Sequence, residues 1–400
     1  MSLYHGSLYW PTTIKDKPKY PKLNKDRSCE VLIIGAGMSG ALLTYKLAKE
    51  SLDVILVDKD RVGNGSSSAN TGLLQYSNDK MLHSFAETIG VKDAVRFYRL
   101  CFNGMEELKR IAETLQDDIQ FENRQSLYYA STSADILAIK KEYDMLKKYD
   151  FPIEFLDEDK IYQSYGFKKH AAIRTSNDAE VNPQKLVISL IKEASQYSNV
   201  QVFEKTEVQK LYYQDGYWLF KSEDAIIRAK HVVYATGYES DAITMNMATK
   251  LNRTYVIVTN PVSSFQQWED RCLIWETKRP YFYMRTTYDG RIVAGGLDEE
   301  MMEAPKDPKI LNGYANNLLT RIKEHFPQFQ LQADYVYGAT FGESVDGIPF
   351  IGEDPKQKNL YYCLGFGGNG TVYSAFGSTI IKELITKGEH PDADLVRLDR

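Results

Sequence analysis

One short segment constrains this chain more than any other. Glu30-Val31-Leu32-Ile33-Ile34 is apolar enough for a buried strand and runs straight into Gly35-Ala36-Gly37-Met38-Ser39-Gly40. A helical pattern follows from Ala41 to Glu50, then a second strand, Val54-Ile55-Leu56-Val57, ending in Asp58. Strand, glycine turn, helix, strand and acid form a βαβ unit. Each glycine has a separate duty: Gly35 permits the tight turn, Gly37 lets the backbone approach a pyrophosphate, and Gly40 lets the helix sit against the sheet. The helix N-terminus offers free N–H groups and the positive end of its dipole to the phosphates. Asp58, 23 residues after Gly35, is placed to accept hydrogen bonds from two ribose hydroxyls. Its charge disfavours a 2′-phosphate, so the motif points to FAD or NAD rather than NADP.

Three further stretches favour FAD. After Asp58-Lys59 comes Gly63-Asn64-Gly65-Ser66-Ser67-Ser68-Ala69-Asn70-Thr71-Gly72-Leu73-Leu74, whose small residues can wrap a ribityl chain and flavin edge with backbone N–H groups. Val232-Val233-Tyr234-Ala235-Thr236-Gly237 is a buried strand entering a tight turn suited to pack on a bound dinucleotide. Gly365-Phe366-Gly367-Gly368-Asn369-Gly370 opens the last helix near Thr371 and aims its dipole at what lies before it, where the pyrimidine end of a flavin gains negative charge on reduction.

With 400 residues, 43% hydrophobic, 26% charged and a net charge of −5, the chain reads as a globular protein of two domains, not as a disordered or nucleic-acid-binding one. The longest apolar run, Val31 into Leu43, is broken by three glycines and falls short of a membrane span. Cys29, Cys101, Cys272 and Cys363 lie far apart without zinc spacing, and the N-terminus lacks an apolar signal core, so a reduced, cytoplasmic protein is expected. Asn-x-Ser/Thr triplets begin at Asn64, Asn252 and Asn369; two fall in the glycine-rich loops and read as chance.

Helical patterns cover His83 to Thr114, Leu137 to Lys148, Gln184 to Ser195 and Thr371 to Thr386. Strands are expected at Val200–Phe203, Lys210–Tyr213, Trp218–Lys221, His231–Ala235, Tyr281–Arg285, Ile292–Ala294 and Leu360–Cys363, with a hairpin turn at Tyr288-Asp289-Gly290. The fold class is α/β (α+β overall): a Rossmann-like FAD-binding domain assembled from residues 28–80, 176–243 and 339–400, with an inserted antiparallel-sheet substrate domain of residues 81–175 and 244–338. Residues 1–27, rich in Lys and Pro, read as a solvated N-terminal arm.

Together these segments resemble the FAD-dependent amine oxidoreductases of the D-amino-acid oxidase, glycine oxidase and sarcosine oxidase family. Tyr9-Trp10, Ser126-Leu127-Tyr128, Val181-Asn182-Pro183, Asp289-Gly290-Arg291 and Asp346-Gly347-Ile348-Pro349-Phe350-Ile351-Gly352 extend the likeness over nearly the whole chain. The resemblance implies an α/β FAD domain with an antiparallel sheet packed over the flavin. The expected cofactor contacts are Gly35, Gly37, Met38, Ser39, Gly40, Asp58, Lys59, Gly65, Ser66, Ser67, Ser68, Asn70, Thr71, Gly72, Leu73, Leu74, Val208, Ala235, Thr236, Gly237, Gly365, Gly367, Gly368, Asn369, Gly370 and Thr371. Where sarcosine oxidases link the flavin through cysteine, this chain has Ala339, so FAD is expected to be non-covalent. The substrate-clamping arginines of glycine oxidases are replaced by Phe341 and Gly368, and the oxygen-promoting lysine of sarcosine oxidases, which would fall near Val293, is missing.

The expected activity is oxidation of the C–N bond of a small amine or amino acid, by hydride transfer to flavin N5, to an imine that hydrolyses. O₂ or another acceptor then takes the electrons. A neutral amine gives hydride without a strong base, whereas a 2-hydroxy acid wants a placed base, usually His. Of the six histidines only His83 follows a cofactor loop closely. A 2-hydroxy-acid dehydrogenase on the same fold, an electron-transfer subunit carrying flavin, and an NAD-dependent dehydrogenase are the alternatives. Tyr281, Tyr283 and Arg285 alternate on one face of a strand, with Tyr255 on a nearby one; these are the expected substrate contacts, with Arg285 as the anchor of an anionic group.

Overall fold

A computed structural model of the chain describes residues 3–239, 249–301, 307–364 and 367–400. The βαβ unit forms as the sequence predicts. Arg27–Ile34 pairs in parallel with Val54–Val57, Ile34 opposite Val57, and Val54–Val57 pairs in parallel with Val200–Phe203. On the other side Arg27–Ile34 pairs with Ile226–Tyr234, which pairs with Gln357–Leu364. Val31, Leu32 and Ile33 are buried, as a sheet covered on both faces requires. Helix Met38–Leu47 lies on this sheet against Pro183–Ala194 and the final helix, Gly370–Lys387. A Cβ at Gly40 would overlap the Gly35 carbonyl oxygen, so close packing at that turn depends on glycine. Phe350–Asp354 adds an antiparallel edge strand, and Gln209–Gln214 with Tyr217–Lys221 forms an antiparallel extension.

The second sheet has the spatial order Tyr4–Gly6, Ala333–Ser344, Thr249–Thr259, Ile292–Glu299, Phe282–Thr286, Leu273–Glu276, Glu122–Tyr129, Ala171–Glu180, Leu73–Leu74. It is antiparallel except between Leu273–Glu276 and Glu122–Tyr129, which run parallel. The expected domain limits cut through this sheet. Ala171–Glu180 crosses the 175/176 boundary, Ala333–Ser344 crosses 338/339, and Leu73–Leu74 belongs here although it follows the cofactor loop.

Residues 1–27 are not simply a solvated arm. Tyr4–Gly6 extends the second sheet, with Tyr4 opposite Ala339. Tyr9 and Trp10 are buried; the Trp10 indole N–H donates to the Asn70 carbonyl at 2.6 Å, and the Tyr9 hydroxyl donates to Asp289 at 2.6 Å. Only the following strap is mostly exposed, and Leu23 pins it to the cofactor sheet. The helix expected from His83 to Thr114 is two helices, Leu82–Ile89 and Val91–Thr114, broken where Gly90 takes a φ of +83°. Val91–Thr114 packs on the final helix, Gly104 lying against Val372. This segment therefore buttresses the helical layer of the first sheet as well as the second sheet.

Candidate active site

Three separated segments meet along one elongated cleft of about 620 Å³. Gly35, Gly37, Met38 and Ser39 line it from the first turn, and Asp58 and Lys59 from the end of the next strand. Gly65, Ser66, Ser67 and Asn70 line it from the serine loop, Val208, Ala235, Thr236 and Gly237 from the second half of the sheet, and Gly370 and Thr371 from the last helix. The Asp58 carboxylate accepts the N–H groups of Ala36 and Asp60, both at 2.7 Å, which orients it beside the glycine turn. Ser67 Oγ accepts the Met38 N–H at 3.1 Å, and a Cβ at Gly37 would stand 3.3 Å from it. The N-termini of the first and last helices converge where Ser39 and Ser374 share a 2.8 Å hydrogen bond. Thr236 Oγ1 is buried beside the cleft without a partner. A glycine cradle, converging helix N-termini, an oriented carboxylate and an orphaned hydroxyl fit a dinucleotide such as FAD.

The other expected cofactor residues divide. Thr71, Leu73, Gly367, Gly368 and Asn369 line a smaller chamber that continues the cleft and shares Ser66, Asn70 and Gly370 with it. Gly40, Ser68, Gly72 and Leu74 line neither cavity and act through packing. Gly72, at φ +72°, has no room for a side chain: a Cβ would lie 2.5 Å from Arg285 Nη2. Gly365 lies outside the described residues.

The chamber, about 150 Å³, lies under the second sheet. Tyr281 and Tyr283 form part of its wall, with ring centroids 5.7 Å apart. Tyr283 faces Gly295 across the strand pair, and the missing side chain there makes room for its ring. Tyr238, Thr254, Trp275 and Phe341 complete the wall, and Gln75, Ser77 and Asp79 enter beyond the serine loop. Trp275 stacks on Tyr128 at 3.8 Å. The sequence offered one signal for the polar trio, Ser77-Asn78-Asp79 just past Leu74, and nothing that singled out Trp275 or Tyr238.

Arg285 and Tyr255 do not line the chamber. The Arg285 guanidinium, 2% exposed as a residue, is engaged within the protein. Nε donates to the Thr71 carbonyl at 2.8 Å, Nη1 to that of Thr286 at 3.0 Å, and Nη2 to that of Val181 at 2.9 Å, with Glu180 at 3.8 Å. It secures the serine loop from outside the cavity: farther along the same strand face as Tyr283, its guanidinium meets the carbonyls of Thr71 and Val181 instead of open space. Tyr255 stacks on Tyr314 at 3.5 Å and donates to Glu299 at 2.7 Å. Nor does His83 approach the chamber; it pairs with Glu142 at 2.9 Å.

Beyond Asp79 and Tyr281 the chamber opens into an outer cavity of about 590 Å³ lined by Asp79, Asp298, Glu299, Glu300, Glu343 and Asp346, against Lys80 and Arg279. Burial raises the Asp79 carboxyl above its ordinary range, opposed by Arg279 nearby and by a hydrogen bond from the Gly368 backbone. Burial likewise pushes Asp298 up to about 7. Glu343 is raised by burial and by Asp79.

Comparison with known proteins defines the class. The family described as FAD dependent oxidoreductase matches residues 30–384, and the chain belongs to it. Glycine oxidase from Bacillus subtilis (strain 168) is 24% identical, covering 91% of this chain and 94% of that one. Gamma-glutamylputrescine oxidoreductase from Escherichia coli (strain K12) is 22% identical, covering 95% and 89%. The crystal structure of glycine oxidase from Geobacillus kaustophilus superposes with a TM-score of 0.79 over 93% of this chain and 99% of that one, at 19% identity. The protein is thus an FAD-dependent oxidoreductase. No helix among the described residues is long and apolar enough to cross a membrane.

Proposed function

We propose that this oxidoreductase oxidises the C–N bond of a small amine or amino acid, giving an imine that water hydrolyses after release. The observation that carries the reading is the continuity of cleft and chamber: Ser66, Asn70, Tyr238 and Gly370 line both, so a cofactor seated in the cleft borders the aromatic chamber. FAD bound there supplies a two-electron acceptor for hydride from the carbon bearing nitrogen. The chain's own residues do the rest. Tyr281, Tyr283 and Trp275 confine the substrate and exclude water from its reacting carbon. Asp79, its affinity for a proton raised by burial, takes the proton that an ammonium substrate must lose before its lone pair can assist. The relatives' names support an amine or amino-acid substrate over a hydroxy acid, and no histidine among the described residues lines either cavity. Neither cavity has a cysteine among its described lining residues, which supports a non-covalent FAD.

The test is an anaerobic screen of amines, amino acids and hydroxy acids for bleaching of the flavin absorption, followed by admission of air. Bleaching by amines or amino acids supports the reading, and the rate of recovery in air separates O₂ from another acceptor. Bleaching by 2-hydroxy acids alone, or purified protein without flavin, overturns it.

A further inference from the structure

We propose that the chamber selects amines bearing no carboxylate on the reacting carbon, and that Asp79, backed by Asp298 and Glu343, holds their positive charge. This rests on the reading of the chain as an amine oxidoreductase and narrows its substrate class. Among the described residues lining the inner chamber, Asp79 is the one carboxylate, and no Lys, Arg or His accompanies it. Arg285 is spent on three backbone carbonyls and Glu180. Arg279, in the outer cavity, donates to the carbonyls of Glu276, Lys278 and Asp79 and lies 4.9 Å from the centroid of the Tyr281 ring. A substrate carboxylate in the inner chamber would therefore meet Asp79 directly, while Arg279, the cation nearest that carboxyl, lines only the outer cavity and is turned onto backbone carbonyls.

Gly368 makes this placement of Asp79 possible. A Cβ at that position would stand 2.6 Å from Asp79 Oδ2, and the Gly368 backbone donates to the same carboxylate. Among the described residues neither Glu343 nor Asp298 has an ion pair of its own; Glu343 accepts from Asn252 at 3.0 Å, and Asp298, whose Oδ1 is buried with no partner, adds its negative charge as it loses its proton near pH 7. Glu300, Asp346 and Glu299, by contrast, are occupied by Lys250, Arg400 and two tyrosine hydroxyls. A second kind of observation also points to a ligand. Ser77 is 9% exposed and Trp275 6% exposed, both line the chamber, and Ser77 Oγ and Trp275 Nε1 have no hydrogen-bond partner. The rings of Trp275, Tyr281 and Tyr283 supply cation–π surface for an ammonium or alkylammonium group.

Titrating the flavin absorption of the holoenzyme with tetramethylammonium chloride and, separately, with sodium acetate at constant ionic strength tests the proposal. Tetramethylammonium is expected to give a saturable spectral change, acetate none, and Asp79→Asn to weaken the cation at least tenfold. Tighter binding of acetate, a response to neither ion, or an unchanged cation affinity in Asp79→Asn overturns the proposal. If Asp79→Asn does not retain FAD, the double variant Asp298→Asn/Glu343→Gln carries the same comparison, with at least a threefold weakening expected and no change refuting. Anaerobic bleaching supplies the second readout: alkylamines are expected to reduce the flavin at least tenfold faster than glycine or alanine, and the reverse order refutes. Protein without flavin would sink the amine-oxidoreductase reading itself; a flavoprotein that prefers carboxylates would sink only this inference.

Discussion

Replacing Arg285 with alanine should damage the fold and the cofactor loop, not the affinity for an anionic substrate. Its guanidinium reaches three carbonyls, those of Thr71, Val181 and Thr286, and lies 3.8 Å from a Glu180 carboxylate that is itself 2% exposed. Adding three charge-assisted hydrogen bonds at face value would overshoot, since neighbours relax and water enters the space left behind. Loss of one partner from a buried ion pair costs about 3–5 kcal/mol. Glu180 keeps Arg124 at 2.9 Å, so the lower end of that range applies. A loss of about 3 kcal/mol is roughly a 150-fold shift in the unfolding equilibrium, large enough to read as a displaced urea midpoint. Because Thr71 lines the chamber next to Asn70, which borders both chamber and cleft, the variant should also lose part of its FAD during purification. Arg285→Lys should recover little, because one ammonium cannot reach three carbonyls with the fork's geometry. An unchanged midpoint, joined to a raised KM for anionic substrates alone, would refute this reasoning and restore Arg285 as a substrate anchor.

Two other outcomes follow from the same geometry. Asp58→Ala should weaken FAD at least tenfold, since a charge-assisted hydrogen bond contributes about 1.5–3 kcal/mol, while Asp58→Asn, which keeps one acceptor oxygen for Ala36 or Asp60, should lose less; equilibrium dialysis of the apoprotein decides, and equal affinity for all three proteins would remove Asp58 from the site. Asp298, with its native pKa pushed up to about 7, keeps a proton that the unfolded chain, at about 3.9, has lost. Stability therefore falls as pH rises through that interval. Asp298→Asn should raise the melting temperature more at pH 8 than at pH 5, and an equal shift at both would show that this carboxyl is not held protonated.

The local chemistry of the cofactor cleft was present in the sequence because each requirement is met by residues near one another in the chain. Gly35, Gly37 and Gly40 act within one turn, and Asp58 ends the very next strand, so spacing alone places them. The serine loop and the Tyr234–Gly237 strand end were readable for the same reason, each being a short element whose residue types suit close backbone approach. Alternation placed Tyr281 and Tyr283 on one face, and both reached the chamber.

The same alternation put Arg285 with them, and there tertiary structure decided otherwise. A strand's period sets which side a residue occupies, but not what packs there. Opposite Arg285 lie the carbonyls of Thr71 and Val181 and the Glu180 carboxylate, all from segments more than 100 residues away. The N-terminal segment departs from the solvated arm that its composition suggests for a related reason: Tyr4–Gly6 is a strand because Ala333–Ser344 offers it an edge, a pairing more than 300 residues distant. The charge of the aromatic chamber and the cavity beyond it is likewise a product of assembly. Asp79, Asp298 and Glu343 are unremarked acids in the chain, and they acquire raised proton affinity once folding removes them from water and sets them around one cavity. Short-range geometry is written in the order of residues, whereas desolvation and long-range pairing depend on which distant segments come to share a boundary.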